Sequence, residues 1–582
     1  MENLKIIKTK NSVETVKDFQ KNLEESGEVK DFPLQYPTLY IGHAKDKNGI
    51  HKAYVGETDN IIQRTKEHLM TKNEDSLKKL NGLNAEGKAD LYIVKHRKFN
   101  KSATLLLEQK FMDYLLGDPK YEDINSDDGD GESVLNRRNN AQSDFYQKDL
   151  YEKNIFPTIW NELFENGVVS DMAEVENSAL FANSPFKDLS DEQFQAKLEI
   201  EDLIQEYLKE DSEETKVIKI SGLAGTGKTV LMSALFKDLY DMGQTSESNK
   251  TVQLLVRQPQ QLKIYEEMAN KLNMKDGVSS VSSFVSNKFI RDIVLVDEAH
   301  ALWSGNHGRV NSEEWDPDLI SITEQAKIVV LIYDSNQVTT GKSYLSQNQQ
   351  EIIDNAKEIK LTNQWRMEAS EEMRNFIQGL GNLEVGILNK SVPRDDKFGY
   401  ELHFFDSVED MYQKIVEKDK ENGLSRMLAT VDWHFSQTGN IDDCMVEVGD
   451  FRLPWNLKTD EVIKGQKQGI PWQEIPESIN EVGSQHTVQG SDLNYVGLIL
   501  GPSIQYDEEN ESIKIDPTKS QSYDALKNYS IYEDPSGEEL REHQISNLKH
   551  TLNILLTRGV HGLYIYAVDS KLREKLLQLN QN

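Results

Sequence analysis

A single cysteine, Cys444, among 582 residues excludes an internal disulfide and any metal site built from a cluster of thiolates. No apolar run approaches the roughly 20 residues needed to span a bilayer, so a membrane is not expected among the partners. The opening stretch MENLKIIKTKNSVETVKDF has neither a long apolar h-region nor a small-residue cleavage site, which argues against secretion and for the cytoplasm. There is no internal repeat and no extended low-complexity tract. What is present is a globular composition, 37% hydrophobic and 28% charged, in a 66.6 kDa chain long enough for about three domains.

Acid dominates, with a formal net charge of -32, but unevenly. Residues 1–110 hold 20 Lys and Arg against 16 Asp and Glu, a balance of +4, so the rest of the chain carries -36. Residues 160–216 hold 16 acids and 4 bases. An acidic whole argues against a polyanionic partner, yet screening acts over about 8 Å at physiological salt, so a basic face can work on an acidic body. KHRKFNK, residues 95–101, is such a cationic edge, with an aromatic inside it.

The pattern along the chain predicts an α/β protein. Residues 1–35 read as a charged helical lead-in. Residues 36–145 read as a compact α/β module: TLYIG and KAYVG as strands joined by a turn with Asn48-Gly49, NIIQRTKEHLM as a helix, LYIVKHR as a strand and ATLLLEQKFMDYLL as a helix. Residues 146–188 read as an acidic helical connector. From 189 onward, strands VIKIS, VQLLV, DIVLVD and IVVLIYD alternate with helices, which implies a parallel sheet over 189–345. YVGLILG and GLYIYAV suggest a second sheet within 346–582, with an insertion near 440–480 around Trp455, Pro471 and Trp472.

GLAGTGKT, residues 222–229, matches the phosphate-loop pattern in full and lies between a predicted strand and helix. Gly222, Gly225 and Gly227 let backbone N–H groups wrap phosphates, Lys228 reaches the terminal oxygens, and the Thr229 hydroxyl ligates Mg²⁺. IVLVDEAH, residues 293–300, fits the companion strand, with Asp297 holding the metal through water and Glu298 orienting the attacking water. ATP with Mg²⁺ is the expected cofactor.

An ordered series of further pieces carries a resemblance. FKDLSDEQFQAKLEI is similar to the adenine-reading element of superfamily 1 helicase motors and nominates Gln193. YDSNQ is similar to their γ-phosphate sensor and nominates Gln337, and LTNQWRM to the motif that supplies Arg366. SQHTVQGSDLNYVGLIL resembles the fifth motif, and LNILLTRGVHGLYIY the sixth, which nominates Arg558 as an arginine finger. The stretch from about residue 186 onward resembles these motors, more closely an ATPase family related to the helicase-like part of Schlafen proteins. The resemblance implies two RecA-like parallel-sheet lobes with ATP between them. Ser283, Thr487 and Gln489 are candidates for contacts to a nucleic-acid backbone. The large inserted subdomains of well-studied helicases are not evident in this sequence.

Residues 36–145 resemble the GIY-YIG nuclease superfamily. TLYIG stands where the first tyrosine motif belongs and AYVG matches the second, followed by Arg64, His68, Glu108 in LLLEQKF and Asn125 in YEDINSDDGDG, with Asn136 as the alternative asparagine. The first motif departs from the family pattern by reading LYI. The spacing requires Tyr40 and Tyr54 on neighbouring strands and Arg64 with His68 on one helix face. The resemblance implies a phosphodiester-cleaving site with one divalent metal, Mg²⁺ or Mn²⁺, on Glu108, Arg64 facing the developing phosphorane charge, and Tyr40 or Tyr54 activating water or holding phosphate. Asn125 fixes the Glu108 side of the pocket.

These expectations combine into an ATP-driven nucleic-acid motor with a metal-dependent endonuclease, acting on DNA ahead of RNA, in destruction of foreign DNA as in restriction or anti-phage defence. The pairing leaves room for a partner protein or homo-oligomer. Repair of host DNA, a nucleotide-switched regulator without stepping and an RNA nuclease are the alternatives.

Overall fold

The computed structural model describes all residues except 1–3, 11, 13, 16, 19–20, 22–34, 46–48, 71–88, 122–146, 211, 213, 223–224, 245–248, 275, 305–316, 365, 393–395, 437–439, 457–458, 468–469, 489–491, 528–536 and 580–582. The chain divides into two compact units, one of Met1–Asp188 with Glu267–Met274, the other of Leu189–Glu266 with Lys275–Asn582.

In the first unit an antiparallel sheet is built from β1 (Leu4–Lys10), β2 (Gln35–Lys45), β3 (His51–Asn60) and β4 (Asp90–His96) in the order β1-β4-β2-β3. Helix α1 (Ile61–Met70) follows β3 directly, and α2 (Lys101–Gly117) follows β4. The Asn100 side chain starts α2 by accepting from the Ala103 N–H at 2.9 Å, satisfying a donor the helix itself leaves open. The alternation of β2 and β3 splits the sheet's faces. Leu39, Ile41, Ala53 and Val55 pack with Leu107, Phe111 and Leu115 of α2, whereas Tyr40 and Tyr54 pack with Ile61 of α1.

Two expectations fail here. Residues 4–10 are an edge strand, not part of a helical lead-in, because LKIIKTK pairs residue for residue with β4 from Leu4↔His96 to Lys10↔Asp90. Residues 147–188 are not a connector. Helix α3 (Phe156–Glu165) places Phe156, Ile159, Trp160 and Leu163 in the same core as α2, with Phe111 and Trp160 rings stacked at 5.9 Å. Its acidic residues face outward, and charge alone does not reveal the apolar stripe beneath.

In the second unit helix α4 (Asp191–Tyr207) precedes a parallel six-stranded sheet of β5 (Lys216–Gly222), β6 (Val252–Val256), β7 (Val278–Ser280), β8 (Arg291–Asp297), β9 (Ala326–Ile332) and β10 (Lys357–Leu361), ordered β10-β5-β9-β8-β6-β7. Helix α5 (Lys228–Gly243) follows the glycine loop after β5, and α6 (Pro259–Lys271) follows β6. The first lobe therefore extends past the expected boundary at 345, because β10 pairs with β5 from Lys357↔Ile218 to Leu361↔Gly222.

A parallel five-stranded sheet, β11 (Glu401–Phe404), β12 (Ser425–Ala429), β15 (Val482–Gly483), β16 (Leu493–Leu500) and β19 (Gly559–Ala567), forms the second lobe in the order β11-β19-β16-β12-β15. Hairpins β13 (Met445–Val448) with β14 (Phe451–Pro454), and β17 (Ile504–Asp507) with β18 (Ser512–Ile515), complete it. Residues 440–480 are not a separate insertion: Val446, Trp455, Val462 and Trp472 are buried in the second lobe's own core.

The first unit also buries two imidazoles: His43 Nε2 lies 3.1 Å from His51 Nδ1, which lies 3.2 Å from the Val168 carbonyl. Burial, with His51 alongside, pushes His43 down from 6.5 to about 4. The unfolded chain therefore takes up this proton first, and stability is expected to fall as pH drops from about 6.5 towards 4, by up to roughly 3 kcal/mol. Urea unfolding across that range should show the loss, and His43→Leu should flatten it.

Candidate functional site

The loop after β5 brings Lys228 to the N-terminus of α5, where orphan backbone N–H groups point at any anion. Lys228 is 6% exposed; its Nζ donates to the Gly222 carbonyl at 2.6 Å and lies 3.9 Å from Asp334 Oδ2. Desolvation lowers the lysine, while Asp334, Glu298 and Asp297 act against that and Arg366 adds to it. Gly227 sits at φ +77°, and a Cβ there would lie 2.0 Å from Gln193 Nε2. That amide closes the capping box of α4 with Ser190 and donates to the Thr226 carbonyl at 3.0 Å. Gln193 thus braces the loop from behind. Thr229, the next residue after Lys228, begins α5 with it, its carbonyl accepting from the Ser233 hydroxyl at 2.9 Å.

At the end of β8, Asp297 is fully buried. Its Oδ2 accepts from Gln261 Nε2 at 2.7 Å and the Tyr265 hydroxyl at 2.6 Å, and its Oδ1 from the Glu298 N–H at 2.9 Å. Burial and the neighbouring Glu298 push its acidity weaker. Glu298 takes a left-handed backbone, φ 54°, and its Oε2 lies 2.8 Å from His300 Nε2. His300, Lys228 and Arg558 hold the Glu298 carboxyl below the usual range despite its burial. Three acceptor positions on Asp297 are filled out of about four, which leaves room for a metal-bound water, as the Thr229 and Asp297 roles require.

The remaining nominated residues meet the same cleft. Gln337 is buried and donates to Asp334 Oδ2 at 2.8 Å. Arg366 is ion-paired through its Nε with Asp492, and its backbone N–H reaches the Gly225 carbonyl at 3.3 Å. Arg558 is 2% exposed, donates to the Ile554 carbonyl at 3.3 Å and is lowered to about 9, by burial first and by Arg366 next. A cavity of about 850 Å³ reaches from Asp334 and Gln337 past Gln364 and Arg374 to Phe398 and Asn553. Thr487 is buried, its hydroxyl donating to the Ser484 carbonyl at 2.8 Å, so it does not face a passing strand. Ser283 is exposed in the first turn of Val281–Asn287, and Gln489 lies outside the described residues.

In the first unit the register pairs Tyr40 with Gly56 and Gly42 with Tyr54, and the two tyrosine rings stack at 6.3 Å. A Cβ on Gly56 would lie 2.2 Å from the Tyr40 hydroxyl, so only glycine lets that ring cross edge strand β3. There Tyr40 is hydrogen-bonded by Arg64 and feels the charge of Glu108. Burial, then Tyr54, raises the Tyr40 phenol above its ordinary value, which keeps it a neutral donor. Arg64 is raised by Tyr40, Tyr54 and Glu67, the last 3.6 Å away, against the opposing effect of desolvation. Glu108 on α2 is 4% exposed. The structure therefore brings Tyr40, Tyr54 and Arg64 together, with Glu108 on α2 close enough for its charge to be felt at Tyr40. The His68 side chain, Asn125 and Asn136 lie outside the described residues.

Among the described residues no cluster of three His, Cys, Asp or Glu side chains is placed to hold a metal. A lone carboxylate such as Glu108 suits Mg²⁺, which keeps several waters and takes one or two protein ligands. The cationic edge at 95–101 is only partly free: Lys95 is 1% exposed and lowered to about 8 by burial, Phe99 is buried and Lys101 pairs with Glu57 at 2.5 Å, while Arg97 and Lys98 are exposed. Gln261 and Tyr265 carry no local motif and escaped the sequence reading, while Asp334 inside YDSNQ, Asp492 inside SQHTVQGSDLNYVGLIL and His300 inside IVLVDEAH stood unassigned.

Residues 215–569 match the Schlafen group 3 DNA/RNA helicase domain. The uncharacterised Saccharomyces cerevisiae protein YPL245W is 32% identical over 410 residues, 64% of this chain and 86% of its own length. Among solved structures, AMPPCP-bound DnaA from Aquifex aeolicus aligns with TM-score 0.19 and 13% identity over 38% of this chain and 57% of its own. A DNA replication initiation factor aligns with TM-score 0.21 and 13% identity over 42% and 66% respectively, so this chain spans less than two thirds of either structure. Gly227→Ala is expected to push Gln193 off the loop and weaken ATP binding at least about tenfold, read by calorimetric titration, with Gln193→Ala partly restoring it in the double variant.

Proposed function

The chain belongs to the Schlafen group 3 DNA/RNA helicase family, and on that basis we propose that it is an ATP-driven nucleic-acid motor whose N-terminal unit is a GIY-YIG-type endonuclease. The observation that carries the motor reading is the convergence of Lys228, Asp297, Glu298, Arg366 and Arg558 on one cleft between two parallel sheets. Lys228 and the loop amides bind the phosphates. Glu298, held ionised by His300 and Lys228, accepts a hydrogen bond from the attacking water and aligns it with the γ-phosphorus. Arg366 and Arg558 meet the charge that builds on the γ-phosphoryl oxygens as the P–O bond breaks. The Thr229 hydroxyl, and Asp297 through water, would hold Mg²⁺, which would supply further neutralisation of the phosphate oxygens. Gln337, tied to Asp334 beside Lys228, senses whether the γ-phosphate is present.

Arg366 precedes the second sheet and Arg558 opens its last strand, so closing the lobes on ATP completes the site, and release of products opens it. A nucleic-acid strand lying over both lobes would be advanced by that cycle.

For the nuclease, support comes from Tyr54, Arg64 and Glu108 all acting on the Tyr40 hydroxyl. Tyr40, kept as a phenol, donates to a phosphate oxygen and places the scissile group, and Arg64 neutralises the pentacoordinate phosphorus. Glu108 would hold a single Mg²⁺ or Mn²⁺, which would stabilise negative charge on the leaving oxygen. DNA is the expected substrate ahead of RNA, and destruction of foreign DNA in the cytoplasm is the role that fits the pairing of motor and nuclease, with repair next.

A plasmid-cleavage assay with Mg²⁺, with and without ATP and with an RNA arm, separates the two pockets. Arg64→Ala is expected to lower cutting by about 100-fold or more while sparing ATP turnover, and Glu298→Gln to abolish turnover. Normal cutting by Arg64→Ala would remove the nuclease assignment.

A further inference from the structure

Helix α4 lies along β10, with Glu199 Oε1 3.9 Å from Lys357 Nζ at the strand's first residue and Glu192 beyond its last. One oxygen of the Glu192 carboxylate accepts from the Thr362 N–H at 2.8 Å and the Thr362 hydroxyl at 2.6 Å, and the other from the Asn363 N–H at 3.0 Å. The β10 ladder ends at Leu361, so these two N–H groups have left the sheet and meet a side chain instead. Glu192 stands in the first turn of α4, where the helix N-terminus favours an anion, and bonds from backbone N–H groups to an ionised carboxylate are stronger than neutral ones. Desolvation works against its ionisation, but Thr362 and Asn363 outweigh it and hold Glu192 below its ordinary value.

What this carboxylate holds leads directly to the ATP cleft. Three residues after Asn363 comes Arg366, whose N–H reaches the Gly225 carbonyl at 3.3 Å. A Cβ on Gly225 would lie 2.5 Å from the Arg366 Cβ and 2.8 Å from Gln364 Nε2, so this stretch rests against the phosphate loop. Further on, the Glu368 N–H donates to the Val560 carbonyl in β19 of the second lobe at 2.9 Å. The Arg366 guanidinium is paired with Asp492, which leaves the backbone to set where it can swing from. On the other side of Glu192 is Gln193, the brace of the phosphate loop through the Thr226 carbonyl. One helical turn therefore touches that loop with one residue and the chain leading to Arg366 with its neighbour.

We infer that Glu192 is a positioning residue for ATP hydrolysis: by clamping Thr362 and Asn363 to the helix that braces the phosphate loop, it holds Arg366 where its guanidinium can reach the γ-phosphoryl oxygens. The inference rests on the ATP-hydrolysing part of the motor reading above. Glu192 acts on the backbone ahead of Arg366 and on neither phosphate nor base, so its contribution belongs to the hydrolytic step and not to ATP binding. Misplacing a catalytic group by about 1 Å costs on the order of a hundredfold in rate, which sets the scale for releasing the clamp.

Steady-state hydrolysis of radiolabelled ATP by the full chain, with and without single-stranded DNA and RNA, tests it. Glu192→Ala is expected to lower kcat by roughly tenfold to a hundredfold while KM for ATP stays within about threefold of wild type. Glu192→Gln keeps one oxygen for Thr362 but turns a donor towards Asn363, so its kcat should fall between the two. Glu192 is only half-buried, and thermal melting of both variants is expected to match wild type. In an Arg366→Ala background, Glu192→Ala should cost less than about a further twofold, because its effect passes through Arg366. Wild-type kcat in Glu192→Ala, a loss carried by KM, or an equal loss with and without Arg366 would overturn the positioning role and leave the motor standing. Absence of ATP turnover by wild type under all these conditions would bring down the motor reading with it.

Discussion

The second unit depends on one constraint: two adjacent carboxylates, Asp297 and Glu298, are buried at the end of a strand and must be compensated there. Two like charges withdrawn from water in contact are costly, and the structure resolves them differently. Asp297 is wrapped in three hydrogen bonds and drifts towards neutrality, while Glu298 is kept ionised by His300, Lys228 and Arg558. The split leaves two adjacent carboxyls with opposite protonation tendencies at the end of one strand. The cations that balance Glu298 come from two different lobes, so the electrostatics of the cleft and its closure are the same problem.

The N-terminal unit rests on a steric counterpart of that arrangement. Its cluster forms at an edge strand because Gly56 leaves the space through which Tyr40 reaches Arg64 and the field of Glu108. The acidic surface elsewhere, the burial of Lys95 and the pairing of Lys101 with Glu57 leave attraction of a polyanion to a few placed cations rather than to a broad basic face.

Much of this was legible in the residues. The phosphate loop, the strand ending in Asp297 and Glu298, and the tyrosine, arginine and glutamate order of the N-terminal module are local patterns whose chemistry depends on spacing. The lead-in was misread because LKIIKTK has no helical or strand signature strong enough to declare its partner, and β4 is some 80 residues away. The stretch 147–188 was misread because its surface acids mask Phe156, Ile159, Trp160 and Leu163, which turn inward only once α2 offers a face.

By itself the sequence determined which groups exist within a few residues of one another: the loop that wraps phosphate, the paired acids after β8, and the aromatic, glycine and arginine sequence around β3. Only the tertiary structure decided which distant groups share a field. Tyr265 and Gln261 on Asp297, Asp492 on Arg366, Arg558 beside Glu298 and Lys342 between Trp303 and Asp524 are meetings across 32 to 260 residues. Such contacts are set by strand order and lobe packing, and the physical terms that stabilise them, burial and Coulomb interaction, depend on distance in space and not along the chain.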